Sequence, residues 1–224
     1  MCYAVINKRY HGIFFKLDEF NEQKNKFPNG KYKKCNSIEE AYNYILKIKN
    51  EHITSSTNSN NNISSNDNNK TYYAYTDGAC SSNGFLGAKA GYGIYFGEND
   101  PRNVSKRVEG KQTNNVAELT AIIEAYKIIE QESQKQQNIT LKQYCIVSDS
   151  KYAIRCATTY GEKCEKNNWK KDIPNKELVK EAYYLFKGNT KITFKHIMAH
   201  TKNTDIHSIG NSYADELARQ SLLN

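Results

Sequence analysis

Residues 51–70, EHITSSTNSNNNISSNDNNK, set the first limit on what this chain of 224 residues can fold into. Seven of these twenty residues are Asn, five are Ser, and only Ile53 and Ile63 offer branched aliphatic surface. Such a segment buries too little to offset the entropy of ordering its own backbone. It reads as a flexible linker whose ends would lie about 25 Å apart as a coil, at roughly 5–6 Å × √n. No single core can run through it. The chain therefore divides into a small block over residues 1–50 and a larger one over 71–224.

The two blocks differ in charge. The whole chain carries 32 Lys+Arg against 24 Asp+Glu, a formal net of +8. Residues 1–50 hold ten basic residues and five acids, so +5 of that excess lies in the smaller block. A polyanionic partner is one reading, and a solvated lysine-rich surface is the other. No run approaches the ~18 apolar residues of a membrane span, so an integral membrane protein is excluded. The start, MCYAVINKR, has neither a secretory apolar core nor the composition of a transit peptide. The six Cys, at 2, 35, 80, 145, 156 and 164, contain no CxxC pair. That usage fits a reducing compartment without a disulfide framework or structural zinc. The expectation is a soluble intracellular protein of the nucleus or cytoplasm.

The small block reads as ββαβα. Tyr3–Asn7 and Ile13–Phe15 are expected strands around a turn at Tyr10-His11-Gly12. A helix opens with Asp18-Glu19, Phe27-Pro28-Asn29-Gly30 turns, and Lys31–Cys35 is a third strand. Ser37 and Glu40 have capping-box spacing for a last helix to about Lys49. A module this small has a thin core and suits an accessory task.

In the large block, Thr71–Thr76, Ala90–Phe96 and Asn103–Glu109 read as three consecutive strands. A helix over 115–131 places Val116, Leu119, Ile123, Tyr126 and Ile129 on one face. Strand Tyr144–Ser148, helices over 150–159 and 175–187, strand Ile192–Ile197 and a helix from about Ser212 follow. A meander and then strand–helix alternation predicts an α/β layer fold with a mixed five-stranded sheet flanked by helices.

Four acids fall at element ends: Asp77 and Asp149 closing strands, Glu118 and Asp215 opening helices. Each has a structural explanation of its own. Asp77-Gly78 is a possible hairpin turn. Asn115 with Glu118, and Ser212 with Asp215, have the spacing of a cap and its reciprocal acid. Asp149 can cap the helix after it. If the four ends converge, however, the carboxylates cannot all stay ionised without a counterion. Oxygen-only ligands suit hard cations, Mg²⁺ or Mn²⁺.

The strings YTDG (75–78), QTNNVAE (112–118), SDS (148–150) and ADELA (214–218) fall in the order and approximate spacing of the ribonuclease H family. That resemblance covers residues 71–224. Tyr3-Ala4-Val5, Gly12-Ile13-Phe14, Phe27-Pro28 and Tyr32-Lys33-Lys34 resemble the hybrid-binding domain that precedes the catalytic domain in eukaryotic type 1 members. The resemblance implies a catalytic set of Asp77, Glu118, Asp149 and Asp215 holding two Mg²⁺ ions, with Mn²⁺ able to substitute and Asp77 bridging. His200, in Met198-Ala199-His200-Thr201, matches the family's mobile catalytic His. The longer loop after it holds a second candidate, His207, and His200 is favoured.

By the same resemblance, Asn83, Asn114 and Asn115 read 2′-hydroxyls of the RNA strand. Lys111, Thr113 and Asn175 hold a phosphate of the DNA strand, while Tyr152 and Tyr160 pack on its sugars. Tyr152 can also be a core residue, as can Trp169. In the small block, Tyr3, Tyr32, Lys33 and Lys34 match hybrid-contacting positions. Leu17 stands where an aromatic residue usually stacks, so hybrid binding there is expected to be weak. The implied activity is endonucleolytic hydrolysis of the RNA strand of RNA/DNA hybrids, by two-metal chemistry, leaving 5′-phosphate and 3′-hydroxyl ends. A monomer with no obligate protein partner is expected. A non-catalytic hybrid binder and an integrase-like strand-transfer enzyme are the rivals. Neither explains the acids, the Asn-rich segment and the small block together.

Overall fold

The computed structural model describes residues 2–6, 11–14, 16–36, 40–41, 44–45, 47–48, 71–135, 142–199 and 205–223. The Asn/Ser segment 51–70, Tyr10 of the expected turn, the start of the helix expected from Ser37, and His200 lie outside the described residues, while His11 and Gly12, expected in that turn, pair as strand. The chain forms two compact units, residues 1–66 with 201–209, and residues 67–200 with 210–224.

The first unit contains β1 (Cys2–Ile6), β2 (His11–Phe14), α1 (Leu17–Lys26) and β3 (Lys31–Cys35). The strands form an antiparallel sheet in the order β2-β1-β3. Helical residues follow at 40–41, 44–45 and 47–48. Its thin core comes from Ala4, Val5, Ile6, Ile13, Phe14, Ala41, Ile45 and Ile48. Strand side chains alternate between faces, so Tyr32 and Lys34 share one side of β3 and Lys33 takes the other. Phe20 of α1 stacks on Tyr3 at 4.7 Å and meets Tyr32 edge-on at 6.0 Å. On the opposite face Lys33 pairs with Glu40 at 3.0 Å and lies over the Tyr44 ring.

The second unit runs β4 (Thr71–Ser81), β5 (Lys89–Tyr95), β6 (Val104–Arg107), α2 (Asn114–Lys135), β7 (Gln143–Ser148), α3 (Lys151–Ala157), α4 (Thr159–Lys166), α5 (Lys176–Phe186) and β8 (Ile192–His196). Most of α6 (Ile206–Gln220) belongs to it as well. The sheet has the order β6-β5-β4-β7-β8. Its β4, β5 and β6 pair antiparallel, and β7 and β8 join in parallel. This is the mixed five-stranded sheet expected from the sequence.

Alternation along the strands builds two apolar layers. Ala74, Tyr92, Ile94, Tyr144 and Ile146 pack with Leu119, Ile122 and Ile123 of α2 and with Val179 and Phe186 of α5. Tyr75, Tyr95, Cys145 and Val147 form the other face, against Ala214 of α6. Gly93 allows α6 onto β5: a Cβ there would lie 2.0 Å from the Ala214 carbonyl oxygen and 2.6 Å from the Ala218 nitrogen. The fold is thus helix, sheet and helix in three layers. Among the described residues no helix is long and apolar enough to cross a membrane.

Three sequence expectations need correction. The strand expected to end at Thr76 runs on to Ser81, because β5 keeps pairing with it as far as Ser81 opposite Lys89. Asp77-Gly78 is therefore strand, not hairpin turn. The helix expected over 150–159 breaks at Thr158 (φ −128°, ψ −109°), and α4 follows as a separate helix. The last helix starts at Ile206, six residues before Ser212. Its start is fixed by Asp205, whose carboxylate accepts from the backbone N–H groups of His207 (3.0 Å) and Ser208 (3.3 Å) and from the Ser208 hydroxyl (2.6 Å). Burial raises the Asp205 carboxyl, but these bonds outweigh it and hold the group below the usual range. Ser212 and Asp215 are interior helix positions, not a capping box.

Candidate active site

The parallel pairing of β4 with β7 ends at Thr76 opposite Ser148. The next residue on each strand is an acid, Asp77 and Asp149. The first turns of α2 cross the same place, because Gly78 leaves no side chain in the way: a Cβ there would lie 2.5 Å from the Glu118 nitrogen. Carboxylate oxygens of Asp77, Glu118 and Asp149 consequently lie within 4.8 Å of one another. Asp77 is 5% exposed and Glu118 7%.

None of these acids is a helix cap. Thr113 caps α2, its hydroxyl accepting from the Val116 N–H at 3.3 Å. Ser150 caps α3, accepting from the Ala153 N–H at 3.2 Å. The capping explanations for Glu118 and Asp149 are thereby removed. Asp77 accepts from the Gly78 N–H at 2.8 Å, and Asp149 from the Asn211 side-chain amide at 3.1 Å. Glu118 Oε1 accepts a long bond from Asn114 Nδ2 at 3.4 Å. Glu118 Oε2 is buried with no hydrogen-bond partner.

Electrostatics follow from this crowding. Burial, then the charges of Asp149 and Asp215, push Asp77 up to about 8. Burial, then Asp77 and Asp149, raise Glu118 well above the usual carboxylate range. Two carboxyls raised by burial and mutual repulsion, with Glu118 Oε2 orphaned, describe a site built around a positive charge that the side chains do not supply. Asp215, in α6, adds to the raising of Asp77 and forms an ion pair with Arg219 at 2.8 Å. It lies at the edge of the cluster, outside the tight group of three.

The expected nucleic-acid contacts form two patches on this unit. Asn83, in the β4–β5 turn, accepts from the Asn114 N–H at 3.2 Å, which ties that turn to the start of α2 beside exposed Asn115 and Lys111. Farther along, Asn175 Nδ2 donates to the Tyr152 hydroxyl at 3.2 Å, joining two residues expected to face the DNA strand. Tyr160, Lys163, Asn167, Trp169, Lys170 and Lys171 line a nearby pocket. Trp169 itself is held by Tyr184, whose hydroxyl accepts from its indole N–H at 3.2 Å, and by Lys180 over its ring. That favours a packing role for the tryptophan.

Two residues that the sequence reading did not single out touch the cluster. Asn211 is 5% exposed and fixes Asp149, while its Oδ1 is buried without a partner. His196 ends β8 opposite Ser148, and its Nε2 lies 3.2 Å from the Asp149 carbonyl oxygen. Asn211 had one signal available, its four-residue spacing from Asp215 on a single helix. His207 lies in the first turn of α6.

Comparison with known proteins agrees with the geometry. Residues 69–222 match the RNase H family model. The chain is 40% identical to Ribonuclease H1 of Rattus norvegicus over 150 residues, 65% of this chain and 48% of the relative. It is 30% identical to Ribonuclease H of Schizosaccharomyces pombe, covering 97% of this chain and 96% of that one. The chain spans about half the length of the rat, mouse and human relatives it matches. Among solved structures, the PFV RNase H domain shares the fold at 24% identity and a TM-score of 0.51, over 68% of this chain and 94% of that one. The family is metal-dependent, and the buried triad of acids suits it. On the sheet order, the converging acids and these matches, the chain belongs to the RNase H family.

Proposed function

We propose that the chain is an endonuclease that hydrolyses the RNA strand of RNA/DNA hybrids, leaving 5′-phosphate and 3′-hydroxyl ends. The observation that carries this reading is the buried triad of Asp77, Glu118 and Asp149 with its orphaned Glu118 oxygen. Its donors are all oxygen, which fits Mg²⁺, with Mn²⁺ able to substitute. A pair of such ions supplies activation of the attacking water and stabilisation of the leaving oxygen. Asp77, Glu118, Asp149 and Asp215 are the residues that would hold them.

The remaining residues position the duplex. Asn83, Asn114 and Asn115 lie close enough to Glu118 to read ribose hydroxyls beside the cut, the feature that separates RNA from DNA. Lys111, Thr113, Tyr152, Tyr160 and Asn175 face the DNA strand. His200 orients the water or assists product departure. Tyr3, Tyr32, Lys33 and Lys34 grip hybrid, Tyr3, Tyr32 and Lys34 from one face of the small sheet and Lys33, paired with Glu40, from the other. The alignment with the fission-yeast relative runs through this module, which supports a shared role. The working form is a monomer, nuclear or cytoplasmic.

The test is a Mg²⁺-dependent cleavage assay on hybrid, duplex DNA and single-stranded RNA. Hybrid alone is cut, and EDTA or Asp149→Asn abolishes cutting. Cleavage that survives Asp149→Asn overturns the mechanism. His200→Ala slows turnover, and a larger defect from His207→Ala would transfer the role to His207.

A further inference from the structure

Phe85 and Leu86, at the tip of the β4–β5 hairpin, are 78% and 105% exposed. Among the described residues they are the one pair of sequence neighbours that are both large, apolar and exposed. The tip is ordered by its own backbone. Phe85 N–H donates to the Ser82 carbonyl at 2.9 Å and Ala88 N–H to the Phe85 carbonyl at 3.2 Å, with Gly84 and Gly87 at positive φ. Two consecutive turns therefore hold both side chains exposed among the described residues.

The position of the tip points to what covers it. Asn83, two residues before Phe85, is bonded to the start of α2, and Asn114 there bonds Glu118. Ser81 lies four residues beyond Asp77 on one straight strand, about 14 Å at ~3.4 Å per residue. Exposed Lys89, opposite Ser81, and Lys111 flank the hairpin with positive charge. Apolar surface bordered by lysines suits a nucleic-acid groove, where sugars and base edges lie between phosphates. The minor groove of an A-like duplex is wide and shallow enough to admit such side chains.

We infer that Phe85 and Leu86 form an apolar wedge that packs on the sugar and base edges of the hybrid's minor groove, beside the residues proposed to read the RNA strand. This rests on the hybrid-cleaving function proposed above and adds a substrate-positioning element to it. The wedge holds duplex and takes no part in chemistry.

The test uses the full chain in two arms. Phe85→Ser combined with Leu86→Ser should raise KM for hybrid about tenfold, the size of one lost stacking contact, with most of the loss in KM rather than kcat. Separately, Phe85→Trp in an Asp149→Asn background keeps hybrid intact. Its emission should change on adding hybrid, read as a difference against the Asp149→Asn parent with its single Trp169. Unchanged KM in the serine variant, with normal cleavage by the parent, overturns the wedge and leaves the proposed function standing. An emission response to anionic lipid vesicles but not to hybrid also overturns it. A parent that neither binds nor cuts hybrid overturns both.

Discussion

Asp77 and Asp149 stand side by side because each directly follows one of the last two partners, Thr76 and Ser148, in the parallel pairing of β4 with β7. The backbone register alone brings the two carboxylates together. Burial then makes the charges of Asp77 and Glu118 costly, and the site stores an electrostatic cost that a bound cation relieves.

That cost should appear as a pH-dependent stability. Asp77 is pushed up to about 8 in the folded chain, against ~3.9 for an unperturbed Asp. A carboxyl raised on folding stabilises the protein fully at pH below the unfolded value, and that contribution disappears as pH rises through the folded one. In EDTA, Tm should therefore fall between about pH 5 and about pH 8. Asp77→Asn should flatten the slope, and added Mg²⁺ should raise Tm more at the upper pH. Thermal melts of both proteins check it, and a wild-type Tm rising across that window would contradict it.

Glu118→Gln should separate activity from stability. The substitution keeps an acceptor for Asn114 and removes a buried charge whose second oxygen has no partner. Cleavage should be lost by two orders of magnitude or more, while the metal-free variant at neutral pH should be at least as stable as the parent. Urea titration in EDTA measures the second half. A loss of more than about 2 kcal/mol would mean that the glutamate serves the fold.

Asn211 should matter almost as much as an acid that it holds. Its amide is bonded to Asp149 Oδ2, and outer partners of metal ligands are typically worth about 10- to 100-fold in affinity or activity. Asn211→Ala should lower kcat by about that factor and shift the Mg²⁺ titration to higher concentration, with KM for hybrid little changed. Equal activity at every metal concentration would leave Asn211 a packing residue.

What the sequence disclosed, and what it hid, divide along physical lines. The five strands were legible because apolar alternation leaves local marks, and so were the element ends that carry Glu118 and Asp149, but Asp77 lies within β4 and Asp215 within α6. Whether those ends converge depended on register, which no local pattern encodes. The early start of α6 was hidden because Asp205, its cap, sits in a run of polar residues that otherwise reads as loop. Asn211 and His196 act through the Asp149 side chain and carbonyl, 62 and 47 residues away in sequence. Phe85-Leu86 was visible as letters, but only the folded hairpin shows both side chains exposed at its tip.

Leu17 offers the sharpest test of the small module. It is 52% exposed at the first position of α1, where the resemblance to a hybrid-binding domain implies an aromatic residue stacking on the DNA strand. Stacking of this kind is worth ~1–3 kcal/mol, or roughly five- to a hundredfold in affinity. Leu17→Trp leaves the core of the module untouched, because Leu17 is exposed and no residue of α1 is buried. Hybrid affinity of the full chain should rise at least fivefold, and the gain should persist in an Asp149→Asn background where no cutting occurs. Binding measured by fluorescence anisotropy on labelled hybrid decides it. An affinity that does not move would mean that this face of the module does not meet the duplex.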